Sequence, residues 1–127
     1  MPSACPFCSL ETGRRVASNP VAFAIRDAYP VSPGHTLVIP NRHIGSFFEL
    51  SAHEQDALFQ LVRDQKQVLD AEFRPDAYNI GINDGPAAGQ TVPHVHIHVI
   101  PRYQGDEADP RGGVRRVLPA KARYWND

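Results

Sequence analysis

The chain has 127 residues, of which 42% are hydrophobic and 21% charged, and its formal net charge is −1. This length and balance predict one domain with a single hydrophobic core, and the near-neutral charge argues against a broad nucleic-acid-binding surface. No apolar run approaches the roughly 20 residues that cross a bilayer, and residues 1–5 lack the apolar core of a signal peptide. We therefore expect a cytoplasmic protein whose two cysteines stay reduced, without a nucleic-acid or membrane partner.

The first motif in the chain is a pair of cysteines, Cys5 and Cys8, separated by two residues. A thioredoxin-like redox pair should follow a strand and open a helix, and the residues before Cys5 show no strand pattern. Two buried cysteines without a chemical role are the simplest interpretation. Two thiolates at this spacing can also bind one metal, as half of a tetrahedral zinc site. The zinc interpretation requires two more ligands from elsewhere in the chain.

The next part of the sequence predicts two strands and one long helix. Residues 21–27 and 35–40 are apolar segments separated by a proline-braced turn, which predicts an antiparallel pair. Ser51 and Glu54 form a capping-box pattern, and the helix that follows is expected to run to about Glu72, just before an Arg-Pro pair. Its apolar stripe consists of Leu58, Leu61, Val62, Val68 and Leu69.

Three histidines alternate with β-branched apolar residues at 94–100. Strict alternation predicts a half-buried strand with all three imidazoles on one face. Because the rise along a strand is ~3.3 Å per residue, neighbouring histidines can share a metal, whereas His94 and His98, about 13 Å apart, cannot easily do so. Two hypotheses follow. Either His94 and His96 bind one metal, or His94 joins the two cysteines and a distant histidine while His96 and His98 face a substrate.

The segments on either side of the histidines are a loop and a basic tail. Residues 77–83 alternate as a strand, and the glycine-rich connection at 84–90 predicts a hairpin whose loop ends beside the first histidine. Backbone N–H groups of such a loop can reach an anion. Residues 111–119 are expected to form either a short basic strand or an ordered arm. The last quarter of the chain contains six basic residues, Arg102, Arg111, Arg115, Arg116, Lys121 and Arg123. This concentration of positive charge predicts a local site for an anionic ligand.

Two segments resemble the recurring motifs of the histidine triad (HIT) superfamily. Residues 85–102, GPAAGQTVPHVHIHVIPR, are similar to the family signature, and residues 33–40, PGHTLVIP, are similar to its other recurring segment. The loop at 89–92 and the lead-in at 83–86 resemble the diadenosine polyphosphate hydrolase branch, also called fragile histidine triad. The tail resembles that of bacterial members of this hydrolase type.

The resemblance implies a role for each histidine and a set of substrate contacts. The middle histidine of HIT enzymes is the nucleophile, so His96 would attack the α-phosphorus of a nucleotide and form a covalent nucleotidyl-histidine. A backbone carbonyl near the first histidine would hold its second ring nitrogen. His98 would donate to the α-phosphate or the leaving-group oxygen, and His35 would be a buried, structural histidine. The remaining implied contacts are Asp27 for the ribose hydroxyls and Asn83, Gly89, Gln90, Thr91 and Val92 for the phosphates.

The resemblance also supplies the missing metal ligands. Several bacterial members and the related nucleotidyltransferases bind zinc through a Cys-x-x-Cys pair, a histidine after the second strand and the first triad histidine. The matching residues here are Cys5, Cys8, His43 and His94. Such a closed site would be structural. The fragile histidine triad branch lacks this cysteine pair, so the sequence combines features of two branches.

Pattern and resemblance together predict an α+β fold in which one long helix crosses a face of an antiparallel sheet of about five strands. Residues 1–127 would form a single HIT domain, with a core at 5–103 and a basic C-terminal arm at 104–127. We expect a homodimer formed through the helix and the strand beside it, with Phe59 and the tail around Trp125 as candidate contacts.

The leading functional hypothesis is a zinc-containing nucleotide hydrolase that attacks the α-phosphate of dinucleoside polyphosphates such as diadenosine tetraphosphate. It would release a nucleoside monophosphate. One alternative is a hydrolase of nucleoside phosphoramidates such as AMP-lysine, which Thr91 disfavours because a serine after the loop glutamine is typical of that branch. The others are a phosphorylase and a non-enzymatic nucleotide-binding adaptor. Intact His96 and His98 argue against the adaptor.

Overall fold

The computed structural model describes residues 5–126. Residues 1–4 and Asp127, the two ends of the predicted domain, lie outside the described residues. The start of the chain, on which the absence of a signal peptide is predicted, falls in the first of these segments. Within residues 5–126 no helix has both the length and the apolar character needed to cross a membrane.

Five strands form one antiparallel sheet. They are β1 (Arg15–Ser18), β2 (Ala22–Arg26), β3 (Thr36–Pro40), β4 (Ala77–Gly81) and β5 (Ile97–Arg102). Their order in the sheet is β1-β2-β3-β5-β4, which confirms the predicted pairing of β2 with β3 and of β4 with β5. The sequence pattern does not reveal β1, because this strand has four residues and three of them are exposed.

One long helix, α1 (Ala52–Phe73), packs across one face of the sheet. The predicted capping box is confirmed: the Ser51 hydroxyl accepts from the N–H of Glu54, and the Glu54 carboxylate accepts from the N–H of Ser51. The helix ends where Arg74 adopts a left-handed conformation with a φ of 53° ahead of a proline. The core that α1 and the sheet enclose includes Ala22, Ala24, Val38, Leu58, Leu61, Leu69, Ile97 and Val99.

The predicted apolar stripe of α1 is wrong at one position. Val68 is 41% exposed, whereas Gln65 is buried with 2% exposure. Gln65 is tolerated there because its Oε1 accepts a hydrogen bond of 2.7 Å from Arg26 Nη1. The same nitrogen donates to Thr36 Oγ1 at 2.8 Å. The inner face of α1 therefore includes a polar link to β2 and β3.

Replacing Gln65 with alanine should lower the free energy of unfolding by about 2 kcal/mol, because Arg26 loses a buried acceptor. Gln60 lies on the exposed side of the same helix. Its replacement with alanine is the matched control and should change stability by less than ~0.5 kcal/mol. Urea denaturation measures both variants, and equal losses would contradict a special role for the buried glutamine.

The histidine stretch is a strand only in its second half, which corrects the predicted strand at 94–100. Since β5 begins at Ile97, His98 is the one triad histidine that lies within it. The preceding backbone is held by a loop instead, because the N–H of Val95 donates to the carbonyl of Ile44 at 2.8 Å. The apolar residues of the stretch, Val95, Ile97 and Val99, lie in the core as predicted, but His94 and His96 are buried too, so burial alternates only from Ile97 onward.

The tail is ordered without a strand. Gly113–Val117 and Pro119–Lys121 are short 3-10 helices. Gly112 and Gly113 adopt positive φ angles of 93° and 46°, which suit glycine and turn the chain before the first of these helices. Of the two alternatives predicted for 111–119, the strand is therefore wrong. The segment is an ordered arm that contacts β4.

Candidate active site

His96 is oriented by a hydrogen bond within its own segment. Its Nδ1 lies 2.8 Å from the backbone oxygen of His94, and because a carbonyl only accepts, the proton of the neutral ring is on Nδ1. Nε2 is therefore left with a lone pair. His96 is 8% exposed, and the ring of Phe7 packs edge-on against it at a centroid distance of 5.0 Å. An imidazole held in this way can act as a nucleophile.

His98 is oriented by a second histidine, His35, which directly precedes the neighbouring strand β3. The N–H of Val31 donates to His35 Nδ1 at 3.1 Å, so the proton of the neutral His35 ring lies on Nε2. That nitrogen is 3.0 Å from His98 Nδ1 and 3.4 Å from Asp27 Oδ2. The proton of His98 is thereby directed to its own Nε2, which can donate to an oxygen of a bound molecule. His35 itself is buried, with 3% exposure.

Burial favours the uncharged forms of His98, His35 and His94 near neutral pH. Burial, reinforced by the neighbouring rings of His96 and His35, lowers the pKa of His98 to about 4, against an opposing effect of the Asp27 carboxylate. Burial also lowers the pKa of His35 and of His94. A neutral His98 with its proton on Nε2 is a hydrogen-bond donor that adds no charge to the site.

The fold should lose stability as the pH falls from about 6.5 towards about 4. In this window the unfolded chain takes up a proton on His98 while the folded chain does not, so acid favours unfolding. His98→Asn removes this titration. The urea midpoint of the variant should therefore fall less than that of the wild type between about pH 7 and about pH 5. An equal fall in both proteins would contradict the assignment of this acid sensitivity to His98.

His96 and His98 line a cavity of about 410 Å³. Five of the predicted substrate contacts line it with them, namely Asp27, Asn83, Gly89, Thr91 and Val92. The cavity also has a wall that sequence reasoning missed, formed by Phe7, Leu10, Arg14 and Tyr29. Phe7 lies between the two cysteines, so a zinc site that joins those cysteines to His94 also places Phe7 near the histidines. Arg14 and Tyr29 carry no comparable signal in the sequence.

Gln90 is placed differently from the other predicted contacts. Its Oε1 accepts from the N–H of Gly85 at 2.7 Å, and its Nε2 donates to the carbonyls of Gly45 and Val92 at 2.9 and 3.1 Å. The side chain therefore braces the loop. Among the described residues Gln90 does not line the cavity, and its contact with a phosphate stays a prediction.

The four predicted metal ligands meet at one point. One ligand atom from each of Cys5, Cys8, His43 and His94 lies within 4.8 Å of the others. His94 Nδ1 is 3.4 Å from Cys5 Sγ and 3.2 Å from His43 Nδ1, and Cys8 Sγ is 3.1 Å from His43 Nδ1. These separations are close to the edges of a tetrahedron whose metal–ligand bonds are ~2.0–2.3 Å long. Two thiols and two imidazoles are also the donor set that zinc prefers.

The main chain prepares His94 as a ligand. Its Nε2 donates to the carbonyl of Pro40 at 2.8 Å, so Nδ1 is unprotonated in the neutral ring and faces both sulfurs. The alternative in which His94 and His96 share a metal is not supported by this geometry. His96 Nδ1 is engaged with a carbonyl, and His96 belongs to neither group of potential metal ligands in residues 5–126.

Comparison with known proteins gives matches over most of the chain. The sequence profile of the HIT domain matches residues 11–105. The chain is 42% identical over 107 residues to the asymmetrical bis(5'-nucleosyl)-tetraphosphatase of Schizosaccharomyces pombe, an alignment that covers 84% of the chain and 59% of that enzyme. It is 34% identical over 102 residues to the AP-4-A phosphorylase of Mycobacterium tuberculosis, covering 80% of the chain and 52% of that enzyme.

A solved structure matches as well. The crystal structure of a Zn-bound histidine triad family protein from Mycobacterium smegmatis has a TM-score of 0.75 and 32% identity, and the match covers 84% of this chain and 80% of that one. The chain spans only 59% and 52% of the lengths of the two enzymes above. The HIT profile nevertheless covers every predicted catalytic, substrate-binding and metal-binding residue except Cys5 and Cys8. With the profile, the fold and the three histidines in agreement, the chain belongs to the histidine triad (HIT) family.

Proposed function

We propose that the chain hydrolyses dinucleoside polyphosphates through a covalent nucleotidyl-histidine at His96 and releases a nucleoside monophosphate. One observation carries this proposal: the hydrogen bond from His96 Nδ1 to the carbonyl of His94, which leaves Nε2 as the attacking atom in a residue that lines the 410 Å³ cavity. The similarity to the asymmetrical tetraphosphatase of Schizosaccharomyces pombe supports the substrate class.

In the first step, Nε2 of neutral His96 attacks the α-phosphorus. A P–N bond forms, the bond from phosphorus to the bridging oxygen breaks, and the remaining nucleoside polyphosphate departs with the electron pair of that oxygen. The imidazole becomes positively charged, and the His94 carbonyl at 2.8 Å stabilises that charge through the proton on Nδ1. His98 Nε2–H donates a hydrogen bond to the departing oxygen as its negative charge develops.

In the second step, water attacks the same phosphorus and the P–N bond breaks. His96 leaves as a neutral imidazole that keeps its Nδ1 proton, so the enzyme returns to its starting state. The product is a nucleoside monophosphate, and one proton passes to the solvent. Splitting one difficult displacement into two easier ones is the advantage of a covalent intermediate.

Asp27 is the proposed contact for the ribose of the attacked nucleotide. It lines the same cavity as His96, and its Oδ1 accepts from the N–H of Tyr29 at 2.9 Å, which fixes the carboxylate. A carboxylate can accept hydrogen bonds from both ribose hydroxyls. Asn83 and the loop residues Gly89, Thr91 and Val92 line the cavity and are the proposed phosphate contacts.

The four clustered ligands are proposed to bind zinc in a closed, structural site. The donor set, the separations and the Zn-bound relative from Mycobacterium smegmatis support this. The bound metal would cross-link the N-terminal segment to the loop that carries His94. This matters for the chemistry because the carbonyl of His94 accepts from His96, and because the same N-terminal segment places Phe7 against His96.

The experiment offers the protein diadenosine tetraphosphate or an adenosine phosphoramidate in water enriched in heavy oxygen. The proposal predicts AMP and ATP from the first substrate, with the label in AMP. ADP formed only when phosphate is added would favour a phosphorylase, the second candidate, which the 34% identity to AP-4-A phosphorylase supports. Faster turnover of the phosphoramidate would favour that alternative. If the protein binds these substrates but turns over neither of them, the proposed enzymatic activity is wrong.

A homodimer is also proposed, formed through α1 and the edge strand β4. Among the described residues β4 pairs with β5 and with no other strand, so its outer edge is available for pairing with a second copy. Phe59 on α1 is 44% exposed, which leaves apolar surface for a second copy to cover. Light scattering that gives the mass of a monomer would contradict it.

A further inference from the structure

A second cavity, of about 610 Å³, lies beside the first one. Its floor is the β4–β5 pair, and its outer wall is the tail from Glu107 to Val117. The two cavities share Asn83 and His98 and no other described lining residue. Each residue is a proposed phosphate contact, so a chain of phosphates held at this point has one cavity on either side.

The floor of the second cavity is open where it meets the triad. Gly81 pairs with His98 across β4 and β5, so both residues belong to one face of the sheet. A Cβ added at Gly81 would meet nothing within 4 Å, which leaves room directly beside His98. Asn79 pairs with Ile100 one step further along, and both line the same cavity.

The outer wall is a built structure and not a loosely draped tail. Arg116 donates to the carbonyls of Arg111 and Asp109 at 3.1 and 2.7 Å, which closes the turn of the arm. Gly113 approaches Asn79 so closely that an added Cβ would lie 3.2 Å from its Nδ2. These wall residues follow residue 105, where the match to the HIT profile ends. The family chemistry proposed above therefore assigns no role to them.

The lining of this cavity suits a planar, mostly apolar group with polar edges. Val114 and Val117 are 65% and 74% exposed, so both can gain from being covered by a ligand. Both cations of the lining are engaged within the protein, because Arg102 pairs with Asp106 at 2.8 Å and Arg116 donates to two backbone carbonyls of the arm. Compensated charge is a weak attraction for a polyphosphate, whereas apolar walls with a few polar groups are typical of sites for nucleobases.

We propose that this cavity binds the second nucleoside of the dinucleoside polyphosphate, the one that departs with the polyphosphate chain after His96 attacks. The inference rests on the proposed function and deepens it. The attacked nucleotide occupies the first cavity, the phosphates pass Asn83 and His98, and the second base packs against Val114 and Val117. The arm thereby makes the chain selective for substrates with two nucleosides.

The test compares diadenosine tetraphosphate with adenosine 5'-tetraphosphate, which presents the same adenylyl group and lacks the second nucleoside. The double variant Val114→Ser, Val117→Ser should lower kcat/KM for the first substrate about 10-fold. The value for the second substrate should stay within about twofold of the wild type. Val16→Ser is the control, because Val16 is a 46% exposed valine on β1 at the opposite edge of the sheet.

Each outcome decides between the inference and its alternatives. If the wild type hydrolyses both substrates and the double variant keeps their kcat/KM ratio, the inference is wrong while the proposed function stands. If the wild type hydrolyses neither substrate, the proposed function is wrong, and the inference that rests on it is wrong as well. An equal loss with both substrates, accompanied by a change of mass in light scattering, would assign the arm to a contact between two copies and overturn the inference.

Discussion

Replacing His96 with alanine is expected to lower kcat for diadenosine tetraphosphate by about four orders of magnitude. The variant keeps the cavity, the loop and His98 but has no atom that can form the P–N bond. Because His96 is buried, the variant also loses the hydrogen bond to the His94 carbonyl and the ring contact with Phe7, so the urea midpoint should fall moderately. The variant should still fold, and its loss of turnover should far exceed its loss of stability. Steady-state release of AMP measures the first quantity.

The matched control is His53→Ala. His53 lies exposed in the first turn of α1, and its removal should leave kcat within about twofold of the wild type. If the His96 variant kept more than about a tenth of the wild-type rate, a covalent role for His96 would be excluded. A variant that lost its fold as well as its activity would show itself in the urea midpoint.

Replacing His43 with alanine is expected to have the largest effect on stability. His43 Nδ1 lies 3.1 Å from Cys8 Sγ and 3.2 Å from His94 Nδ1, so the variant lacks one of the four proposed zinc ligands. Purified protein should contain less than a few tenths of an equivalent of zinc, against about one in the wild type. Tm should fall by more than about 10 °C, because structural metal binding contributes directly to folding.

Turnover should fall in the same variant although His43 contacts no substrate. The loop that carries His94 supplies the carbonyl for His96 Nδ1, and loosening it disturbs the orientation of the nucleophile. His53→Ala serves again as the control, with full zinc content and an unchanged Tm. A wild-type protein purified without zinc, with a Tm that added zinc does not raise, would contradict the metal site.

Local signals in the sequence predicted the helix well. Ser51 and Glu54 are three residues apart and bond to each other, so the start of α1 is determined by neighbouring residues. The inner face was less predictable at Gln65. Its burial depends on Arg26, which is distant in the chain and reaches it only once β2 has packed against α1.

The histidine stretch shows where periodicity fails. Alternation at 94–100 predicts a strand throughout, yet β5 begins at Ile97 because the chain before it bonds to the loop at Ile44. The apolar residues Val95, Ile97 and Val99 enter the core in either case, so their alternation in the sequence does not distinguish a strand from a loop at 94–96. His94 does not line the cavity that contains His96 and His98. It is held away from that cavity by this loop contact and by the hydrogen bond that its Nε2 donates to the carbonyl of Pro40.

The candidate site was predictable as far as the family motif extends. The resemblance assigns roles to Asp27, Asn83 and the three histidines. In the structure the first two line the 410 Å³ cavity with His96 and His98, and His94 lies with the other predicted metal ligands. The resemblance gives no role to Arg14 or to the tail from Glu107 to Val117, because these approach the site only through tertiary packing. Basic residues in the tail suggested an anion site, whereas the structure pairs Arg102 with Asp106 and uses Arg116 to close a turn.

The central claim is the covalent intermediate at His96, and rapid-quench mass spectrometry of the intact protein tests it most directly. Mixing excess protein with diadenosine tetraphosphate and quenching in alkali, in which phosphoramidates survive, should give a species heavier by one adenylyl group. Its amount should rise and then decay as AMP appears, and peptide mapping should locate it on His96. Steady release of AMP with no adduct at any time, or an adduct that persists in His96→Ala, would contradict the account.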